Sequence, residues 1–184
     1  EATATELGGT STANTLTLVS AGALTDAPTA SVTVTGNANL SGTTITVGEQ
    51  AAGPTGDVFN AGSLTFAGTV VAITEDSGTE LAGASTATTS LALVSAGAIT
   101  DQAGATLGVT GNAAFSGTGV TLDNAAAHTF GTLTFTSAGA VTLVEDSETL
   151  LAGTSTAATL ALTSAGAIAD TAGNTFTFIV GADS

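Results

Sequence analysis

One eleven-residue motif occurs three times in this chain, and it restricts the possible folds more than any other feature. Its copies start at residues 16, 91 and 160 and read LTLVSAGALTD (Leu16–Asp26), LALVSAGAITD (Leu91–Asp101) and LALTSAGAIAD (Leu160–Asp170). Apolar and polar residues alternate on both sides of a Ser-Ala-Gly corner, which is typical of two short, half-buried strands. A unit this short cannot bury its apolar face alone, so we expect neighbouring copies to stack on it.

A glycine stands at the corner of every copy, at Gly22, Gly97 and Gly166. We expect these glycines to let the backbone turn sharply, since a residue without Cβ has a wider choice of conformations.

The segments between the motif copies also recur. The segment SVTVTGNANLSGTTITV returns as TLGVTGNAAFSGTGVTL, SLTFAGTVVAITEDS returns as TLTFTSAGAVTLVEDS, and TELAGASTATTS has relatives before the first motif and before the third. We therefore interpret residues 1–184 as a single solenoid segment of three partial large repeats, 5–78, 79–148 and 149–184. Because the chain starts just before one motif and stops within a repeat, we expect a slice of a longer repetitive protein.

A repeated strand core with variable polar loops, such as Gly48–Gly62, predicts an all-β fold, a β-solenoid of stacked short-strand coils. We expect eight apolar segment starts to form one interior ladder, and the residues two positions later to form its partner. The first ladder is Leu16, Val32, Leu64, Leu91, Leu107, Leu133, Leu160 and Phe176; the second is Leu18, Val34, Phe66, Leu93, Val109, Phe135, Leu162 and Phe178. Eight coils at about 4.8 Å each make a rod on the order of 40 Å long.

The charge composition excludes several classes of partner. The 184 residues include 15 Asp and Glu but no Lys or Arg, so the net charge is −15. Nothing neutralises phosphate, and we therefore exclude nucleic acid and basic-patch attachment to lipid. Cysteine is absent, and no apolar run approaches the roughly 18 residues of a membrane span. We expect the partners to be copies of the chain or adjoining repeats, joined end to end.

Catalysis is not expected from this set of side chains. The chain has one histidine, His128, and no Lys, Arg, Cys or Tyr. His128 lies in the polar insertion NAAAHTFG, with no Ser–Asp arrangement beside it, so we interpret it as an exposed loop residue. Neighbouring residues on a strand point to opposite faces, so the pairs Glu75–Asp76 and Glu145–Asp146 do not form a two-carboxylate glycosidase site. The prediction is a protein that is not an enzyme and has no catalytic residues.

Four acidic residues are candidate metal ligands. Aligning each third segment with the next motif copy places Glu75 beside Asp101 and Glu145 beside Asp170, at about the 4.8 Å spacing of strands. Like charges so placed raise a pKa or recruit a cation, and Ca²⁺ is the natural candidate because it prefers several oxygen ligands. The alternative is a pair of solvated carboxylates at a strand end, with no cofactor.

The motifs LTLVSAGAxTD, VTGNAxxSGT and LTFxxxxxVxxxED resemble the repeats of filamentous-haemagglutinin-like proteins, the very large bacterial β-strand-repeat adhesins. The resemblance implies a right-handed parallel β-helix exported to the cell surface, where it acts as an adhesin, a fibre or a coat. This sequence lacks the family's secretion domain and any receptor-binding module, so the resemblance names no receptor or glycan. The expected function is a non-catalytic structural or adhesive extracellular rod.

Two other functions on the same scaffold remain open. An ice-binding solenoid needs one outward residue type repeated on every coil, and the predicted outward row is interrupted by Ala and Gly: Thr17, Thr33, Thr65, Ala92, Gly108, Thr134, Ala161 and Thr177. A polysaccharide-active β-helix enzyme generally needs a basic residue near its substrate, which this chain does not have.

Overall fold

The computed structural model describes residues 3–48, 57–124 and 128–178, so most of the predicted loop Gly48–Gly62 lies outside the described residues. Those three stretches contain 19 strands and no helix, and parallel pairing joins the strands into a β-solenoid of about eight turns. The strands are β1 (Thr5–Leu7), β2 (Thr10–Ala13), β3 (Leu16–Val19), β4 (Ala23–Asp26), β5 (Ser31–Ser41), β6 (Thr44–Val47), β7 (Val58–Glu75), β8 (Thr79–Leu81), β9 (Ala84–Ser95), β10 (Ile99–Asp101), β11 (Thr106–Gly117), β12 (Val120–Leu122), β13 (His128–Ser137), β14 (Ala140–Glu145), β15 (Thr149–Leu151), β16 (Thr154–Ala157), β17 (Thr159–Ser164), β18 (Ile168–Asp170) and β19 (Thr175–Phe178).

Each turn of the solenoid has three faces. The strands β1, β2 and β3 form the first turn and define face one, face two and face three, and β4 then returns over β1 with Thr5 beside Leu24. Several strands bend at a corner and continue onto the next face: β5 pairs first with β2 and then with β3. Face one carries an unbroken inward column of Thr5, Leu24, Ile45, Val71, Leu91, Ala113, Leu133 and Leu151.

The sequence repeat is longer than a whole number of turns. Leu16, on face three, is followed three turns on by Leu81 through the stack Leu16, Ala38, Leu64 and Leu81. The chain then advances one face before the second motif copy starts, at Leu91 on face one. The third copy starts at Leu160, which stacks on Val141 on face two. One large repeat therefore spans three and one-third turns, and the three motif copies lie on three different faces.

Stacking partners repeat with the sequence despite this rotation. Leu16 lies beside Ala38 as Leu91 lies beside Ala113. Leu91 also lies beside Val71, as Leu160 lies beside Val141. Equivalent residues therefore meet equivalent neighbours, one face further round.

The residues of the two predicted ladders do not stack on one another, but their side chains do point inward as predicted. Val32, for example, stacks on Ser11 and Phe59 and not on Leu16. The described side chains of both predicted ladders are nevertheless buried or half-buried, as expected of inward residues; the side chain of Phe178 lies outside the described part. Four phenylalanines inside the solenoid are almost fully buried, and each contributes about 1.5–3 kcal/mol by its removal from water. They are Phe59, Phe66, Phe115 and Phe135.

The Ser-Ala-Gly corners need glycine for space and not for an unusual backbone conformation. The positive φ angles occur at other glycines, among them Gly9, Gly83 and Gly153, which occupy one equivalent corner of the three repeats. At Gly97 an added Cβ would lie 2.8 Å from the Cα of Gly78 in the adjacent turn. The corner therefore requires glycine because two turns approach closely there.

Candidate functional site

Acidic side chains are enclosed at the corners of the solenoid without any lysine or arginine to pair with. Asp57, Glu75 and Glu145 are each at most 2% exposed. A buried carboxylate must be hydrogen-bonded, paired or protonated, because transfer of its charge from water is costly. The partners of these carboxylates therefore show what chemistry the solenoid can perform.

The most completely bonded carboxylate is Asp101, at the end of the second motif copy. Its Oδ2 lies 2.8 Å from Nε2 of His128, and the two side chains are 2% and 0% exposed. The side-chain amide of Asn124 also donates to Asp101, as do the backbone N–H groups of Asp123 and Asn124 at 3.3 Å. The interpretation of His128 as an exposed loop residue is wrong. His128 is the first residue of β13, and its ring stacks on the ring of Phe130 with 6.4 Å between the ring centroids.

Asp26 is the equivalent residue of the first repeat, and its surroundings are poorer in donors. Its Oδ2 accepts one hydrogen bond, from the backbone N–H of Gly48 at 2.7 Å. Burial raises the pKa of Asp26 to about 6, and the facing carboxyl group of Asp57 contributes to the rise, while the Gly48 hydrogen bond opposes it. Burial and the nearby carboxyl group thus both disfavour the charged form of Asp26.

The predicted acidic pairs do not form. Glu75 lies beside Ser95, and Asp101 lies beside Leu81. Glu145 lies beside Ser164, and the exposed Asp170 lies beside Leu151. The alignment failed because it assumed one turn for each segment, whereas each turn contains three strand segments. Over residues 3–48, 57–124 and 128–178, no group of three or more His, Asp or Glu side chains is arranged to hold a metal ion.

Glu75 and Glu145 instead bind backbone N–H groups, Glu75 within its own strand β7 and Glu145 in the preceding strand β13. Oε1 of Glu75 accepts from the N–H of Ala61 at 2.7 Å, and Oε1 of Glu145 accepts from the N–H of Phe130 at 2.9 Å. Each glutamate thus accepts the hydrogen bond of a buried backbone N–H group at a corner of the solenoid. The sequence carries a signal for this role, the repeated Glu-Asp-Ser, but the strand register is needed to identify the donor.

The Asp101–His128 pair has the atoms for proton transfer, but both side chains are enclosed. The structure also contains an apolar cavity of about 80 Å³ between the first two turns, lined mainly by Leu7, Ala13, Leu16, Val32 and Val34. No titratable residue lines this cavity. Neither feature brings a reactive group to a surface that a substrate could reach.

The outward residues that were considered for ice binding do not stack on one another in a row. Thr17 lies beside Asn39, and Thr134 lies beside Ala114. On face two, three threonines stack in sequence and are followed by alanine: Thr100, Thr121, Thr142 and Ala161. The faces therefore present mixed Thr, Asn, Ala and Ser rows.

Comparison with known proteins identifies a family but no function. A protein-family model described as repeats of unknown function (DUF5649) matches residues 1–58 and 67–137. No curated protein and no solved structure matches the chain. The described residues also contain no helix that could cross a membrane.

Proposed function

Since the chain belongs to the DUF5649 family of repeats, we propose that it serves as a non-catalytic rod in an extracellular fibre, surface coat or adhesin stalk. The observation that carries the proposal is the unbroken column on face one, in which eight residues from Thr5 to Leu151 stack through successive turns. Such a stack holds a fixed distance between its ends, which is the mechanical task of a stalk.

The side chains that catalysis would most often use are buried or absent, which supports a structural role. The chain's one histidine is fully buried against Asp101, and the chain has no Lys, Arg or Cys. The resemblance of its motifs to filamentous-haemagglutinin-like repeats supports a position outside the cell. We propose adhesion through the mixed polar rows of the outer faces, with no metal or cofactor required.

The partner we propose is another copy of the chain or an adjoining repeat, joined along the solenoid axis. Every internal turn receives its backbone hydrogen bonds from the turns on either side, as Val58 N–H does from Ala30 O at 2.7 Å. Because equivalent residues meet equivalent neighbours throughout the stack, another repeat supplies the matching strand edges.

Immunogold labelling of intact producing cells tests the proposal. Antibodies against the folded protein should label extended material at the cell surface, and surface proteolysis with a broad-specificity protease should remove the label. A matched antibody against a cytoplasmic protein should label only opened cells. Labelling confined to the cell interior would contradict an extracellular rod.

A further inference from the structure

Face one presents an uncharged outer surface over six successive turns, formed by β4, β6 and the later parts of β7, β9, β11 and β13. Its outward residues alternate with the buried column and form three columns of their own. The two outer columns contain only Ala, Val, Ser, Thr and Asn. No outward side chain here is longer than asparagine, so the surface has little relief and no charge. The central column is Thr25, Thr46, Ala72, Ala92, Ala114 and Thr134.

The acidic residues nearest to this surface point elsewhere. Asp26 and Glu75 end β4 and β7, but the alternation of these strands places them on the inward side. Asp76 lies beyond the same corner, where its carboxylate accepts a backbone N–H of face two at 3.1 Å. Glu80 follows on face two, beside Thr100. Negative charge therefore borders face one at a corner without lying on these six turns.

Two of the four exposed large apolar side chains of the described residues lie on this surface. Val70 is 38% exposed and Val94 is 40% exposed, on opposite sides of the central column, with the exposed Ala92 between them. Six turns at about 4.8 Å each and about 17 Å of strand length give an area on the order of 500 Å². Two copies that meet over this area bury about 1,000 Å² in total, the lower bound of a specific protein–protein interface.

We propose that face one is the docking surface for a second copy of this chain, which lies side by side with the first. The chain has 15 acidic residues and no Lys or Arg, so two copies repel wherever acidic surfaces meet. Face one lets two copies approach without that repulsion, and their contact removes the exposed valines from water. This lateral contact is distinct from the end-to-end joint and does not depend on it.

A two-fold axis across the surface pairs the copies in opposite directions, which makes the same patch serve both of them. Glu6 projects beside Thr25 at one end of the surface. The opposite orientation of the copies places their two Glu6 side chains at opposite ends of the contact, so the one acidic residue next to the surface does not meet its own kind.

The test compares two substitutions in the same strand, β9. Ala92→Glu places a charge at the centre of face one, whereas Thr86→Glu adds the same charge at an exposed position of face three. In sedimentation velocity from micromolar to millimolar concentrations, the unmodified protein and Thr86→Glu should form a dimer. Ala92→Glu should weaken the dimer by about tenfold or more, because the two-fold axis brings two such charges close together. Thermal melts check that both variants are folded, and Val94→Glu replaces Ala92→Glu if the latter is not.

The shape of the dimer gives the second readout. In small-angle X-ray scattering, a side-by-side pair thickens the rod and leaves its length nearly unchanged, whereas an end-to-end pair doubles the length. Because the chain has no cysteine, Ala92→Cys introduces a single thiol. A bis-maleimide with a span of about 10 Å, the distance between packed sheets, should link two copies of Ala92→Cys and not of Thr86→Cys.

Three results would overturn the proposal: a monomer at every concentration, a dimer that Ala92→Glu leaves unchanged, or a dimer of doubled length alone. The last of these would remove the lateral contact while leaving the end-to-end joint in place. Added NaCl should strengthen a side-by-side dimer, because it screens the remaining repulsion between the two acidic rods.

Discussion

At the scale of single residues, two equivalent glutamates show how strongly a few hydroxyl groups control a buried charge. The carboxylate of Glu145 accepts hydrogen bonds from three donors: the Phe130 N–H, the Ser147 hydroxyl at 2.9 Å and the Thr149 hydroxyl at 2.6 Å. At Glu75, neither Oε2 nor the hydroxyl of the equivalent Thr79 has a hydrogen-bond partner of normal geometry among the described residues. Burial raises the pKa of Glu75 to about 7, and the charge of Asp76 adds to the rise, while Thr79 and the Ala61 N–H oppose it.

We predict opposite effects for Glu75→Gln and Glu145→Gln. Ionised Glu75 costs on the order of 3 kcal/mol near pH 8, a penalty that disappears as the pH falls through 7 toward 4.5, so Glu75→Gln should raise stability at pH 8 and change little at pH 5. Glu145→Gln should lower stability at pH 8 by about 1–3 kcal/mol, because three donors lose a charged acceptor. Urea unfolding at both pH values measures the effect. Destabilisation by both variants at pH 8 would refute this reading of Glu75.

At the scale of strands, sequence reasoning recovered the alternation but missed one strand in each turn. The apolar residues at the motif starts, such as Leu91 and Leu93, point inward as predicted. The Ser-Thr segments were not recognised as strands with an inward face, because their buried residues include serine. Ser85 and Ser155 are at most 1% exposed, and their hydroxyl oxygens accept the backbone N–H groups of Phe66 and Phe135 at 3.2 Å.

That missing strand explains the site errors as well. With three strands per turn, Glu75 reaches Ser95 and not Asp101, so no pair of charges is formed there. His128 was assigned to a loop because the polar insertion before it gives no sign that β13 starts there. Nothing in the neighbouring sequence indicates that its partner is Asp101. Long-range register is the information that periodicity alone does not contain.

The strand register predicts a sharp contrast between inward and outward substitutions. Leu93 is fully buried between Ile73 and Phe115, so Leu93→Asp should cost several kcal/mol, because a charge would be enclosed without a partner. Thr17 is exposed, and Thr17→Asp should change stability by about 0.5 kcal/mol or less. Thermal melts of the two variants measure the contrast. Equal tolerance would show that the register is incorrect.

At the scale of the whole molecule, composition and fold together determine where proteases can cleave the rod. Trypsin cleaves after Lys and Arg, which the chain does not contain, whereas chymotrypsin cleaves after large apolar residues such as Phe. Five of the seven phenylalanines are buried inside the stack, and four of these five are at most 2% exposed. Resistance to trypsin should therefore come from the sequence, and resistance to chymotrypsin at these four sites from the fold.

We predict that trypsin yields no specific fragments from either the native or the urea-unfolded chain. Chymotrypsin should cut the unfolded chain after Phe59, Phe66, Phe115 and Phe135, and leave these sites intact in the native protein. Mass spectrometry of the digests identifies the cut sites. Rapid chymotryptic cleavage of the native protein at these phenylalanines would contradict a stack that encloses them.

The extra third of a turn in each repeat bears on how such a protein can change length during evolution. Recombination between equivalent points of two copies inserts or deletes three and one-third turns. The remainder of the rod is then rotated by one face, yet Leu91 still meets a valine below it and an alanine above it. Gain or loss of repeats thus leaves the stacking contacts unchanged, while any surface mutation that is copied with them spreads to all three sides of the rod.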